Sequence, residues 1–91
     1  MVYKITRYSY RKAEENGLTI KPSNKTHKKI DVYKNGKFIV SIGDVRYNDY
    51  PTYVLSNGKK YADERRKLYY IRHNVNSSKY SADNLAKLIL W

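Results

Sequence analysis

An α+β fold is what this sequence predicts: a small antiparallel sheet, made of a central β-hairpin and an N-terminal strand, packed against a long basic helix and an apolar C-terminal helix. Three stretches carry the prediction. Residues 29–42 hold two β-favouring runs on either side of Asn35-Gly36, the dipeptide best suited to a type I′ turn. Residues 59–74 place apolar side chains at helical spacing among many Lys and Arg. Residues 81–91, SADNLAKLILW, open on a serine suited to capping and are apolar around most of a helical circumference.

The first segment, residues 2–8, alternates β-favouring Val2, Tyr3, Ile5, Thr6 and Tyr8 with Lys4 and Arg7, as a half-exposed strand does. Ser9 then precedes YRKAEEN, and Gly17 stands where a glycine would end a helix, so a short helix is expected over residues 10–16. Residues 18–20 suit a brief strand. Residues 21–29, KPSNKTHKK, are polar and basic around Pro22 and read as an exposed loop. The hairpin is expected to pair residues 29–34 with 37–42, closed by Gly43 and Asp44. Asp49 is placed to cap a short helix over residues 52–56, with Pro51 in its first turn, where a missing N–H costs nothing, and Gly58 at its end. An extended path over residues 47–54 is the alternative, because Tyr50 precedes proline.

Length and charge bound the class of protein. With 91 residues the chain is expected to form one domain with a thin core. The 19 Lys and Arg against 8 Asp and Glu leave a net charge of +11, which makes polyanions the natural partners. Eleven tyrosines stand against one Phe and one Trp, and a tyrosine-built core can sit half wet because each hydroxyl reaches solvent or a partner. The absence of cysteine excludes disulfides and cysteine-based zinc sites. No apolar run approaches bilayer length and MVYKITRYSYRK has no apolar signal region, so a non-membrane, non-secreted protein of the cell interior is expected.

The long helix can be read face by face. Tyr61, Leu68, Ile71 and Val75 share one side, flanked by Ala62 and Tyr69, and that side is expected to face the core. Arg65 and Arg72 project from the same side. They can snorkel past the sheet edge or pair with Asp49, Asp83 or the terminal carboxylate after Trp91, and for Arg72 an ion pair joining the two helices is expected ahead of a functional anion site. The opposite side carries Lys59, Asp63, Arg66, Lys67, Tyr70 and His73, in which basic groups flank an exposed ring. Lys59, Arg66, Lys67, Tyr70 and His73 are therefore the candidate nucleic-acid contacts, with Lys25, Lys28 and Lys29 of the basic loop as a second patch. A solvated helix face would show the same pattern. In the last helix, with Ser78 or Ser81 as its cap, only Asp83, Asn84 and Lys87 are polar, and the rest is expected to cover the core with Trp91 anchoring it.

Nothing in the sequence points to a reaction, a cofactor or a metal. His27 and His73 have no second ligand at a metal-binding spacing. Asp44 with Asp49, or Asp63 with Glu64, matches no recognised cation motif, and glycine-rich phosphate loops and nucleophile elbows are missing.

From Lys28 onward the chain resembles a group of small basic proteins of unassigned function encoded by large DNA viruses of algae and protists. The resemblance rests on Asn35-Gly36, Asp49-Tyr50, Tyr69 with Arg72-His73, Ser81-Ala82 and Ile89-Leu90-Trp91. Relatives often carry a strongly basic linker where this chain has NVNSSK. The resemblance implies a protein of the virion or the host cell interior, associated with a viral genome. Together with the charge it leads to the expectation of a non-enzymatic, sequence-tolerant nucleic-acid-binding protein, with DNA ahead of RNA. The alternative is a capsid-associated or other structural protein that meets a protein partner.

Overall fold

The computed structural model describes residues 3–73 and 81–91. Its α+β architecture has four helices and one three-stranded antiparallel sheet: α1 (Arg7–Glu15), β1 (Thr19–Pro22), β2 (Lys28–Lys34), β3 (Lys37–Asp44), α2 (Tyr50–Asn57), α3 (Lys59–Arg72) and α4 (Ala82–Leu90). The strands lie in the order β1-β2-β3. Among the described residues no helix is long and apolar enough to cross a membrane.

The hairpin forms as the Asn-Gly turn dictates. Asn35 and Gly36 both take positive φ, 52° and 80°, the pair of left-handed conformations a type I′ turn requires, and Lys34 pairs with Lys37 across it. One cross-strand row joins Ile20, Val32 and Val40, and a second joins Pro22, Ile30 and Ile42. These rows face the core, where Ile30, Val32 and Ile42 are fully buried beside Leu85, Ile89 and Leu90 of α4. The opposite sheet face carries Lys21, Asp31 and Ser41 in one row, with a 2.6 Å hydrogen bond from Ser41 Oγ to Asp31 Oδ1.

The third strand is the brief one after the first helix, Thr19–Pro22, and not the segment before that helix. Residues 3–6 are irregular, and Arg7 and Tyr8 already belong to α1. The cap is Thr6, expected to lie in a strand, and not Ser9: Thr6 Oγ1 accepts from the Ser9 amide at 3.3 Å. Ser9 is spent otherwise. It is fully buried and donates its hydroxyl to the Ile89 carbonyl at 3.0 Å, so Ser9 and Ala13 form a small-residue face that brings α1 against α4. The basic loop is likewise shorter than expected, because Lys21 and Pro22 close β1 and Lys28 opens β2.

A buried ion pair locks the N-terminal segment, the sheet and α2 together. Lys29 Nζ donates to Asp49 Oδ2 at 2.8 Å, with the two side chains 4% and 1% exposed. The Tyr3 hydroxyl donates to the same oxygen at 2.5 Å, and Asp49 Oδ1 caps α2 by accepting from the Thr52 amide at 3.1 Å. Asp49 thus serves as the expected cap, with Pro51 in the first turn and Gly58 at the end of α2.

Gly43 shows how closely this region is packed. Its φ is +77°, and a Cβ there would lie 2.8 Å from Leu90 Cδ1 and 2.9 Å from Lys29 Cδ. A bare backbone is what lets α4 and the lysine stem approach β3 together.

Burial by itself would push the Asp49 carboxyl up, but the Lys29 charge and the hydrogen bonds from Lys29, Tyr3 and Thr52 hold it below the ordinary carboxylate value. Because the folded value is the lower one, the unfolded chain takes up more protons in acid. The pair's contribution is therefore complete above the unfolded carboxylate range, near ~4, and disappears as pH falls through the folded value. Asp49→Ala, which strands Lys29 in the interior, should cost about 3–5 kcal/mol in chemical denaturation at neutral pH. The loss should shrink when the comparison is repeated in acid.

Candidate nucleic-acid interface

The long helix is turned about its axis relative to the expected orientation. Tyr61, Leu68 and Ile71, assigned to the core side, are exposed, Ile71 to 64%, whereas Ala62 is fully buried and Tyr69 packs against the core. Val75 lies outside the described residues. The displacement corresponds to roughly one residue, ~100° of helical rotation. Its cause is the surface α3 meets. That surface is made by Tyr50 and Tyr53 of α2 and by Trp91, and its aromatic rings accept guanidinium groups as well as they accept leucine. Arg65 lies over Tyr53 with 5.5 Å from Cζ to the ring centroid, and Arg66 over Tyr50 at 4.1 Å. With an arginine on either flank, the small Ala62 fits at the point of closest approach.

The outward face expected from the sequence is accordingly divided. Arg66 is half-buried, because besides resting on Tyr50 it donates to the Trp91 main-chain oxygen at 3.4 Å and stands 3.6 Å from Asp63. Asp63 also accepts from Lys59 Nζ and from the Tyr50 hydroxyl, each at 2.8 Å. Lys59 and Arg66 thus join a cluster that fastens α3 to α2. Lys67 and Tyr70 remain on the open surface, lining a shallow depression with Arg66, Asp63 and Ile71. His73 is half-buried and stacks on Tyr69 at 4.1 Å.

The basic loop divides in the same way. Lys28 is exposed and Lys25 sits over the Phe38 ring at 3.9 Å. Lys29, expected to contact phosphate, is buried against Asp49, since a carboxylate two elements away in sequence claims its ammonium. Nor do Arg65 and Arg72 form the expected ion pair with Asp49 or Asp83. Among the described residues neither lies in a salt bridge, and Arg65 Nε is buried with no hydrogen-bond acceptor. Such an orphaned donor costs on the order of 1–3 kcal/mol.

The outer face of the sheet holds a patch that sequence reasoning missed. A register shift after Val32 sets Tyr33 opposite Phe38, their rings edge to face at 5.8 Å. Phe38 is 47% exposed although it stands on a strand. Lys21 Nζ lies 5.2 Å from the Tyr33 centroid, beside Lys25 on Phe38. Two rings under two ammonium groups, on a rigid sheet, form a stacking platform with cations positioned for phosphate. Phe38 belongs to the second β-favouring run of the hairpin, and the bulge that brings it beside Tyr33 leaves no mark in the sequence.

A second concavity, about 570 Å³, opens between β3, α3 and α4. One wall is an aromatic stack in which Tyr69 is sandwiched between His73 and Trp91, the latter at 4.4 Å and 11° from parallel. Burial pushes the Tyr69 hydroxyl up to about 12. Arg65, Arg72 and Lys28 also line this cleft. Among the described residues no group of three or more His, Asp or Glu could hold a metal ion. No family model, curated protein or solved structure matches the chain.

Trp91 is buried, and besides its stack on Tyr69 it lies 6.1 Å from Tyr53 while its main-chain oxygen accepts from Tyr8 and Arg66. Trp91→Ala should therefore lower stability by about 3–5 kcal/mol, read as a fall in the denaturation midpoint.

Proposed function

We propose that the chain is a non-enzymatic, sequence-tolerant nucleic-acid-binding protein that uses the outer face of its sheet as the principal contact surface. The observation that carries this reading is the Tyr33 and Phe38 pair beneath Lys21 and Lys25. The exposed Phe38 ring, with half-buried Tyr33 beside it, can accept any base by stacking, and the flanking lysines neutralise phosphates whatever the sequence. The charge distribution adds to this. The net charge of +11, which already counts all 8 carboxylates, gives the molecule a general attraction for a polyanion. Lys67 and Tyr70 supply a second, smaller contact on α3. The resemblance to the viral proteins extends the proposal to a viral genome as the bound polymer, DNA ahead of RNA, and to the virion or the infected cell as the site of action.

Affinity for single-stranded DNA should fall linearly on a log-log plot against salt, with a slope corresponding to several phosphates. Replacing Lys21 and Lys25 by Gln should reduce that slope by about one to two, and Phe38→Ala should cost about 1–3 kcal/mol of affinity with little change in slope. A flat salt response would refute the proposal.

A specific observation favours a second reading as a structural protein that meets a capsid or other virion partner. Tyr61, Leu68 and Ile71 form an exposed apolar stripe on α3, and Leu55 of α2 is 82% exposed. Apolar stripes left open on a helix commonly mark protein contacts. Leu55→Asp should leave DNA binding intact and abolish co-assembly with purified capsid protein if that reading holds.

A further inference from the structure

The cleft between β3, α3 and α4 has a charge that the fold itself does not neutralise. Of the basic groups lining it, Lys29 is consumed by Asp49, but Lys28, Arg65 and Arg72 lie in no salt bridge among the described residues. Two carboxylates line the same space. Asp44 is held bidentately by Arg46, at 2.6 Å from Nη2 and 3.0 Å from Nε, so Lys28, Arg65 and Arg72 face a cleft in which Asp83 is the side-chain carboxylate left open. That local excess of positive charge suits a phosphate group. Arg65 is the pointed feature, because its Nε is buried with no acceptor and its guanidinium is held in place over the Tyr53 ring. A fixed guanidinium with free N–H groups is the donor best shaped for phosphate oxygens.

The remaining lining supplies what a base would need. In the stack of His73, Tyr69 and Trp91 both faces of Tyr69 are covered and Trp91 is buried, so the open ring on the cleft is that of Tyr47, 70% exposed and with no ring partner among the described residues. The volume of about 570 Å³ falls within the ~300–1,000 Å³ of small-molecule sites and is far too small for a duplex. We infer that this cleft binds a single phosphorylated nucleotide, its phosphate on Arg65 with Arg72 and Lys28 and its base against the Tyr47 ring. The shared chemistry is a nucleoside monophosphate, supplied either free or as the 5′-phosphorylated end of a strand. The second source rests on the nucleic-acid reading above, and the first does not.

Trp91 is the chain's one tryptophan and lines the cleft, so its fluorescence is a built-in probe. The full chain is titrated with adenosine 5′-monophosphate, with adenosine, and with a short single-stranded oligonucleotide carrying either a 5′-phosphate or a 5′-hydroxyl. Adenosine 5′-monophosphate should quench Trp91 saturably, adenosine at least tenfold more weakly, and Arg65→Gln should weaken the monophosphate at least tenfold while Arg65→Lys restores part of the affinity. Arg72→Gln, at an exposed position, should weaken it as well and guards against a folding defect at Arg65. Tighter binding of the phosphorylated oligonucleotide identifies the strand end as the source, and equal binding of the two oligonucleotides identifies the free nucleotide. Monophosphate binding without any strand binding would uphold the cleft and refute the nucleic-acid reading. Strand binding without a monophosphate response, or a response unchanged in both Arg65→Gln and Arg72→Gln, would overturn the cleft proposal and leave the other standing.

Discussion

The ion pair between Lys29 and Asp49 is the constraint from which the rest of the arrangement follows. One carboxylate accepts from a strand lysine, from Tyr3 and from the first turn of α2, so three segments remote in sequence converge on a single group. In a core this small, two charges can be kept from water only when each is satisfied on several sides, and the geometry here meets that condition. By fixing where α2 begins, the pair also fixes where Tyr50 and Tyr53 stand. Those two rings set the rotation of α3, and the rotation decides which arginine is spent on packing and which faces a cleft.

The arginines therefore divide by surroundings and not by sequence position. Arg66 is satisfied by a ring, a carboxylate and a main-chain oxygen, whereas its neighbour Arg65 has a ring alone. Periodicity could not show this. A helical wheel scores Tyr61, Leu68 and Ile71 as the buried edge because it counts apolar residues and gives no credit to a guanidinium lying flat on an aromatic surface. The eleven tyrosines were the available hint, since a tyrosine-rich partner surface changes what a helix can bury.

Where local chemistry decides, the sequence was a sufficient guide. Asn35-Gly36, the Asp49 cap with Pro51 behind it, and the apolar lid ending in Trp91 are each set by a turn, a cap or a composition that acts over a few residues. Where two local signals compete, it was not. Thr6 and Ser9 are both good caps, and the choice fell to Thr6 because a carbonyl of α4 needed the Ser9 hydroxyl. The sheet platform was illegible for a related reason: a register shift, which no short motif encodes, places Phe38 beside Tyr33. Lys29 was misjudged because its partner is brought up by tertiary structure alone.

Two of the hydrogen bonds that hold α1 to the end of the chain, Ser9 to Ile89 and Tyr8 to Trp91, span 80 and 83 residues. The loop that these contacts close holds the sheet, α2 and α3, so its entropic cost falls due in one step and not in instalments. Until α4 docks, Ile30 and Ile42 have no cover, and over that interval the high positive charge opposes adhesion of one unfinished copy to the next.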